Sequence, residues 1–149
     1  MSSGVAVDDE CLKVYEGMKL KKHNKYVILG MSEDDRKIKV LKKAEANATY
    51  DEFLKDLKEA ESQGDCRYAI YDFDYKVERH GAPEASTNKL LFYIWCPGSA
   101  KIKRKMIYTS SKDAIKKKLV GIGGEIQGTD DAEVSYDEVL EKVKSGERH

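Results

Sequence analysis

The chain has 149 residues, about the length of one ordinary domain, so a single core is expected. Hydrophobic residues make up 40% and charged residues 36%, with 27 basic side chains against 27 acidic ones, so no net field favours nucleic acid or an anionic membrane and local patches must select any charged partner. The N-terminal Met1-Ser2-Ser3-Gly4-Val5-Ala6-Val7 carries neither a basic leader nor a long apolar stretch, and the longest apolar run, Leu90 to Cys96, falls far short of the roughly 20 residues that cross a bilayer, so the sequence predicts a soluble, monomeric, cytosolic protein.

Cys11, Val14, Tyr15 and Met18 recur at helical spacing behind Asp8 and Asp9, whose carboxylates suit the positive end of a helix. Tyr26 to Met31 and Ile38 to Leu41 predict a hairpin turning at Ser32-Glu33-Asp34-Asp35. Thr49-Tyr50-Asp51-Glu52 is a capping box; Tyr50, Phe53, Leu54 and Leu57 then share a helix face that Gly64 ends. Tyr71, Phe73, Tyr75 and Val77 alternate with Asp72, Asp74 and Lys76, the pattern of a half-buried strand, and Arg79 to Asn88 reads as a loop. Leu90-Leu91-Phe92-Tyr93-Ile94-Trp95 is apolar on both faces and predicts a central strand covered by helices on both sides. Ala100 to Val120 predicts a long helix, bent where Thr109-Ser110-Ser111 can bond back to the backbone. Gly121, Gly123 and Gly124 release it into a short strand, Glu125 to Gly128. A second capping box, Ser135-Tyr136-Asp137-Glu138, with Val134 and Val139 as its staple, opens a last helix through about Val143. The fold class expected is α/β (α+β): a mixed sheet with helices on its two faces.

Catalytic signals are sparse. His23, His80 and His149 share no motif with a carboxylate or thiol at ligand spacing, which argues against zinc or triad chemistry. Cys11, Cys66 and Cys96 are dispersed within apolar patterns and read as reduced core thiols. Gly121-Ile122-Gly123-Gly124 leaves a helix for a strand, the reverse of a phosphate cradle. Asp72 and Asp74 share one strand face and read as a solvated face, not an acid/base pair. The segment with Lys101, Lys103, Arg104, Lys105, Lys112, Lys116, Lys117 and Lys118 has Asp113 as its one opposing charge, and Glu125, Asp130, Asp131, Glu133, Asp137, Glu138 and Glu141 follow it. Met106 and Ile107 within the cations suit a protein interface, an apolar anchor inside a polar rim. Nucleic-acid binding by the same lysines is the rival reading, opposed by the neutral total and by the lack of a stacking motif.

The run Lys105-Met106-Ile107-Tyr108-Thr109-Ser110-Ser111-Lys112-Asp113-Ala114-Ile115-Lys116-Lys117-Lys118-Leu119 resembles the long actin-binding helix of actin-depolymerising factor/cofilin proteins. Ser3-Gly4-Val5-Ala6-Val7, Asp65-Cys66-Arg67-Tyr68-Ala69-Ile70-Tyr71-Asp72-Phe73, Trp95-Cys96-Pro97 and Glu125-Ile126-Gln127-Gly128-Thr129-Asp130 extend the resemblance in family order across nearly the whole chain.

The resemblance implies one actin-depolymerising factor homology domain over residues 5–145, a gelsolin-like five- to six-stranded mixed sheet, with tails at 1–4 and 146–149. It implies a non-enzymatic protein of the cytoplasm and cytoskeleton, with the nucleus as a further location. Such a protein binds monomeric and filamentous actin, preferentially the ADP form, and severs and depolymerises filaments without a cofactor; the alternative within the fold is a module that binds actin without strong severing. Ser3, Gly4, Lys103, Lys105, Met106, Ser111, Lys112, Asp113, Lys116 and Lys117 match the surface that touches both forms, and the lysines are expected to form an exposed ridge. Lys89, Glu141 and Lys142 match the filament-specific surface, where Ser86, Thr87 and Ser145 replace basic residues of the family. Ser3 matches a regulatory phosphorylation site, and Lys103, Lys105, Lys112, Lys116 and Lys117 are expected to attract phosphoinositide headgroups.

Overall fold

The computed structural model describes residues 4–21, 23–77, 81, 83 and 85–147; Ser3, His80 and His149 lie outside these. A short strand β1 (Ala6–Val7) leads into helix α1 (Asp9–Lys21), whose Asp9 and Glu10 sit in the first turn. Cys11, Val14, Tyr15 and Met18 are all buried, as their spacing requires. Strands β2 (Asn24–Met31) and β3 (Lys37–Glu45) form the expected hairpin. Beyond its first residues, which pair with β1, β3 has an open edge. Its second half can therefore stay polar, and it runs past Leu41 where apolar periodicity gave no sign of a strand.

Helix α2 (Tyr50–Ser62) starts where the capping box places it: the Glu52 amide donates to Thr49 Oγ1 at 3.2 Å. Strands β4 (Arg67–Val77) and β5 (Ala85–Trp95) pair without interruption from Arg67↔Trp95 to Val77↔Ala85. This corrects the expectation of a loop through Asn88. Ala85, Ser86 and Thr87 are exposed, so this end of the ladder buries little and carries no apolar alternation to announce it.

Helix α3 (Ile102–Lys116) is one unbroken element, shorter than the bent helix expected to reach Val120. The Ser110 hydroxyl does bond back to the Ile107 carbonyl at 3.3 Å, but the backbone ladder continues through it. Strand β6 (Gly124–Gly128) lies parallel to β5, and helix α4 (Tyr136–Glu147) follows the second capping box, with the Glu138 amide donating to Ser135 Oγ at 3.3 Å.

The six strands are ordered β1-β3-β2-β4-β5-β6, with the two outer pairs parallel and the rest antiparallel. Period-two alternation divides the central strands between two cores. Tyr68, Ile70, Phe92 and Ile94 face α1 and α3, whereas Ala69, Tyr71, Phe73, Leu91, Tyr93 and Trp95 face α2 and α4. Both faces of β5 are therefore dry, which is why Leu90 to Trp95 is apolar without a break. Asp72 shares the α1/α3 face but is only 4% exposed, so the solvated-face reading fails for it; it accepts a 2.7 Å hydrogen bond from Asn88 Nδ2. Asp74 remains exposed and pairs with Lys25 at 2.6 Å.

Candidate functional site

Helix α3 is pinned to the sheet by Tyr108. The Met31 amide donates to its hydroxyl oxygen at 3.0 Å, and the Tyr68 hydroxyl donates to its carbonyl oxygen. Gly30 makes room for this approach, since a Cβ there would stand 3.1 Å from the Tyr108 hydroxyl and 2.5 Å from Leu41 Cδ1. Tyr108, Ser111 and Ile115 form the buried stripe of the helix. The spacing that buries them turns another stripe outward: Lys103, Met106, Ser110, Asp113 and Lys117 follow at alternating steps of three and four residues, and all are exposed. Met106, 65% exposed, is its apolar centre.

Ser111 does not belong to that surface. Its exposure is 0%, so it lies beneath the ridge, and its expected role as a direct contact is corrected. The lysine ridge is also less free than its sequence suggested. Lys105 donates to the Gly98 carbonyl at 2.8 Å. Lys112 and Lys116 both reach Glu125, at 3.1 and 2.5 Å, and each is only partly exposed. Burial works to raise the Glu125 pKa, but hydrogen bonds from Gln127, Lys116 and Lys112 outweigh it and hold the carboxyl down at about 2. Arg104 is drawn inward, its Nε 2.8 Å from Asp65 and its Nη1 2.7 Å from Asp35, with the guanidinium 5.7 Å from the Tyr108 ring centroid. Burial likewise opposes the Asp65 carboxylate, yet donors from Arg104, Cys66 and Arg67 hold its pKa below the usual carboxylate value.

The face presented to a partner is thus mixed, not uniformly cationic. Lys103 and Lys117 are its exposed cations, Asp113 its anion and Met106 its anchor, with Lys105, Lys112 and Lys116 held along its flank. Its N-terminal end meets the start of the chain: Val5, Asp35, Lys103, Met106, Ile107 and Ser110 line a shallow groove of about 390 Å³. Gly4, next to Val5, is exposed with φ +82°, a conformation that favours glycine.

Lys89 and Lys142 come together at a different place, where both line a groove of about 110 Å³ between β5, β6 and α4 together with Gly123 and Gly124. Glu141 is exposed on the adjacent helical position.

Asp35, Asp65 and Glu125 were not singled out as partners of the basic helix. The acidic stretch after α3 hinted at Glu125, but reading it as an opposing field missed that β6 lays this carboxylate against the lysines. Among the described residues, no group of His, Cys, Asp and Glu could hold a metal ion, and no helix is long and apolar enough to cross a membrane.

A family model described as cofilin/tropomyosin-type actin-binding protein matches residues 4–144. A cofilin of Mycosarcoma maydis is 48% identical over 96% of this chain and 96% of its own, and an actophorin of Acanthamoeba castellanii is 44% identical over 95% and 96%. The crystal structure of a Streptomyces griseoflavus cofilin superposes with a TM-score of 0.82 at 42% identity, covering 95% of this chain and 98% of that one.

Proposed function

Since the chain belongs to the cofilin/tropomyosin-type actin-binding family, we propose that it binds actin monomers and filaments, severs filaments and promotes their depolymerisation, acting in the cytoplasm and its cytoskeleton. The observation that carries this reading is the outward stripe of α3, in which a 65% exposed methionine sits among Lys103, Ser110, Asp113 and Lys117 beside the groove at Val5. An exposed apolar side chain within a charged rim is the arrangement of a docking surface. Ser3, Gly4 and the flanking Lys105, Lys112 and Lys116 complete the surface shared by both actin forms. Ser111 supports it from below.

Lys89, Glu141 and Lys142 form the second contact, made only in the filament. Two separated patches allow one molecule to bridge neighbouring subunits, and a binder that prefers one arrangement of those subunits shifts the filament towards it. Strain then concentrates where decorated and bare stretches meet. A pelleting assay with purified filaments tests the reading: co-sedimentation and an increased unpolymerised fraction are expected, and the absence of both across protein concentration and salt would overturn it. Imaging of single filaments separates severing from decoration without breaks. The latter outcome would favour the pure binder, which the exposed Ser86 and Thr87 beside Lys89 make the alternative.

The same surface accounts for two further properties of this reading. A phosphate on Ser3 adds about −1.5 to −2 charge to the segment that precedes Gly4 in sequence and would repel an acidic partner, so a Ser3→Glu variant should pellet less. Lys103 and Lys117, with Lys105, Lys112 and Lys116 beside them, would hold phosphoinositide headgroups in competition with actin, and vesicles containing them should release actin from the protein. The protein acts as a monomer, which sedimentation at working concentration checks, and nuclear location is a further expectation that imaging of the tagged chain decides.

A further inference from the structure

Cys66 and Cys96 occupy the residue positions just beyond Arg67↔Trp95, the last pair of the β4–β5 ladder. Continuing the antiparallel register sets them directly opposite each other, and directly opposed Cβ atoms lie about 4.5–5.5 Å apart. A disulfide needs about 3.5–4.5 Å, so a small closing movement suffices. Both side chains turn to the same face of the sheet, Cys66 buried in the core beneath α1 and α3 and Cys96 packed against that core.

The two sulfurs are not equivalent. Cys66 is 0% exposed, whereas Cys96 is partly exposed where β5 leaves the sheet. The neighbouring Cys66 thiol favours the Cys96 thiolate most strongly; burial opposes it, and Thr109 and the charge of Lys105 add to the favourable side. The Cys66 thiol is pushed the other way, by its neighbour Cys96 and by burial. An accessible sulfur inclined to ionise next to a buried protonated one is the arrangement of an attacking and a resolving cysteine.

We propose that Cys96 and Cys66 form a reversible, peroxide-sensitive dithiol site, in which Cys96 reacts first and Cys66 resolves it into an intramolecular disulfide. The electrons balance. The Cys96 thiolate attacks one oxygen of hydrogen peroxide and breaks the O–O bond, giving a sulfenic acid and hydroxide. The Cys66 sulfur then attacks the Cys96 sulfur and displaces its hydroxyl, which leaves as water with the Cys66 proton; the hydroxide of the first step takes up the proton that Cys96 gave to solvent on ionising and becomes the second water. Both thiols are oxidised, one peroxide is reduced, and a dithiol reductant reverses the change.

Mass spectrometry of the whole protein after stoichiometric hydrogen peroxide tests this. The expected product is lighter by two hydrogens, yields one proteolytic species joining the Cys66 and Cys96 peptides, and returns to the starting mass with dithiothreitol. Cys66→Ser should stop at the sulfenic acid and label at Cys96 with dimedone, while Cys96→Ser should leave Cys66 unoxidised under the same conditions. Added oxygen at Cys96 with no joined peptide in the unsubstituted protein would overturn the proposal. So would equal reactivity of Cys66 in the Cys96→Ser protein. A circular dichroism spectrum of each variant confirms that the comparison is made between folded proteins.

Discussion

The hydroxyl of Tyr108 receives the backbone N–H of Met31 at 3.0 Å inside the protein, tying the middle of α3 to the last residue of β2. That contact fixes the rotation of the helix about its own axis, and so decides which residues form its outward stripe. Tyr108→Phe keeps the ring but leaves a buried amide without its acceptor, a loss of about 1–3 kcal/mol. Urea unfolding should show a lowered midpoint at unchanged slope, and an unshifted midpoint would mean that the amide finds another partner.

Lys103 and Lys117 lie on the outward stripe and are exposed. The double replacement Lys103→Ala with Lys117→Ala should weaken filament co-sedimentation at least tenfold while changing stability by no more than about 0.5 kcal/mol. Replacing Lys105 and Lys112 is a less clean test. Lys112 removal strips a partner from Glu125, and Lys105 removal frees the Gly98 carbonyl, so a stability loss of about 1 kcal/mol should accompany any loss of binding.

Glu125 carries a pH signature. Its folded pKa of about 2 lies below the ordinary 4.5, so its ion pairs contribute fully above about pH 4.5 and are lost as pH falls towards 2. Glu125→Gln should therefore cost about 1 kcal/mol near neutral pH, and the gap from the unsubstituted protein should close through that acid window. Urea midpoints of both proteins measured from pH 7 to 2.5 check this. A gap that stays constant would assign the loss to shape and not to charge.

Asn88 donates to the buried carboxylate of Asp72 at 2.7 Å. Asn88→Ala should destabilise the fold by about 1–2 kcal/mol, and Asn88→Asp should do more harm by setting a second carboxylate beside the first. Thermal unfolding ranks the two variants. Equal melting temperatures would show that Asp72 relies on other neighbours.

What could be read from the sequence was what short range encodes. Thr49 and Ser135 cap their own helices, and the apolar run from Leu90 declares a strand that is dry on both faces, because in each case the interacting groups are a few residues apart or follow one period. Much of the electrostatic detail of the site has another origin. Arg104 meets Asp35 across 69 residues and Lys112 meets Glu125 across 13, through contacts that only the packing of α3 on the sheet creates. The side of α3 that Tyr108 buries was open to reading by helical spacing, yet charge drew attention to every lysine equally. Only the packed helix separates Lys103 and Lys117 from Lys112 and Lys116. Strand pairing at Ala85 to Asn88 escaped notice for the opposite reason, since exposed strands need no apolar code.

The parallel strand β1 is fastened at the sheet's margin by the Ala6 amide on the Arg36 carbonyl and the Asp8 amide on the Ile38 carbonyl, both at 2.9 Å. Each such bond contributes only about 0.5–1.5 kcal/mol, far less than the whole domain needs to unfold. Val5 and Val7 add packing against the core beneath α1 and α3, so opening this rim costs those contacts as well as the two hydrogen bonds, and still less than global unfolding. A partner that required Ala6 and Val7 in another conformation would have to meet only that local cost.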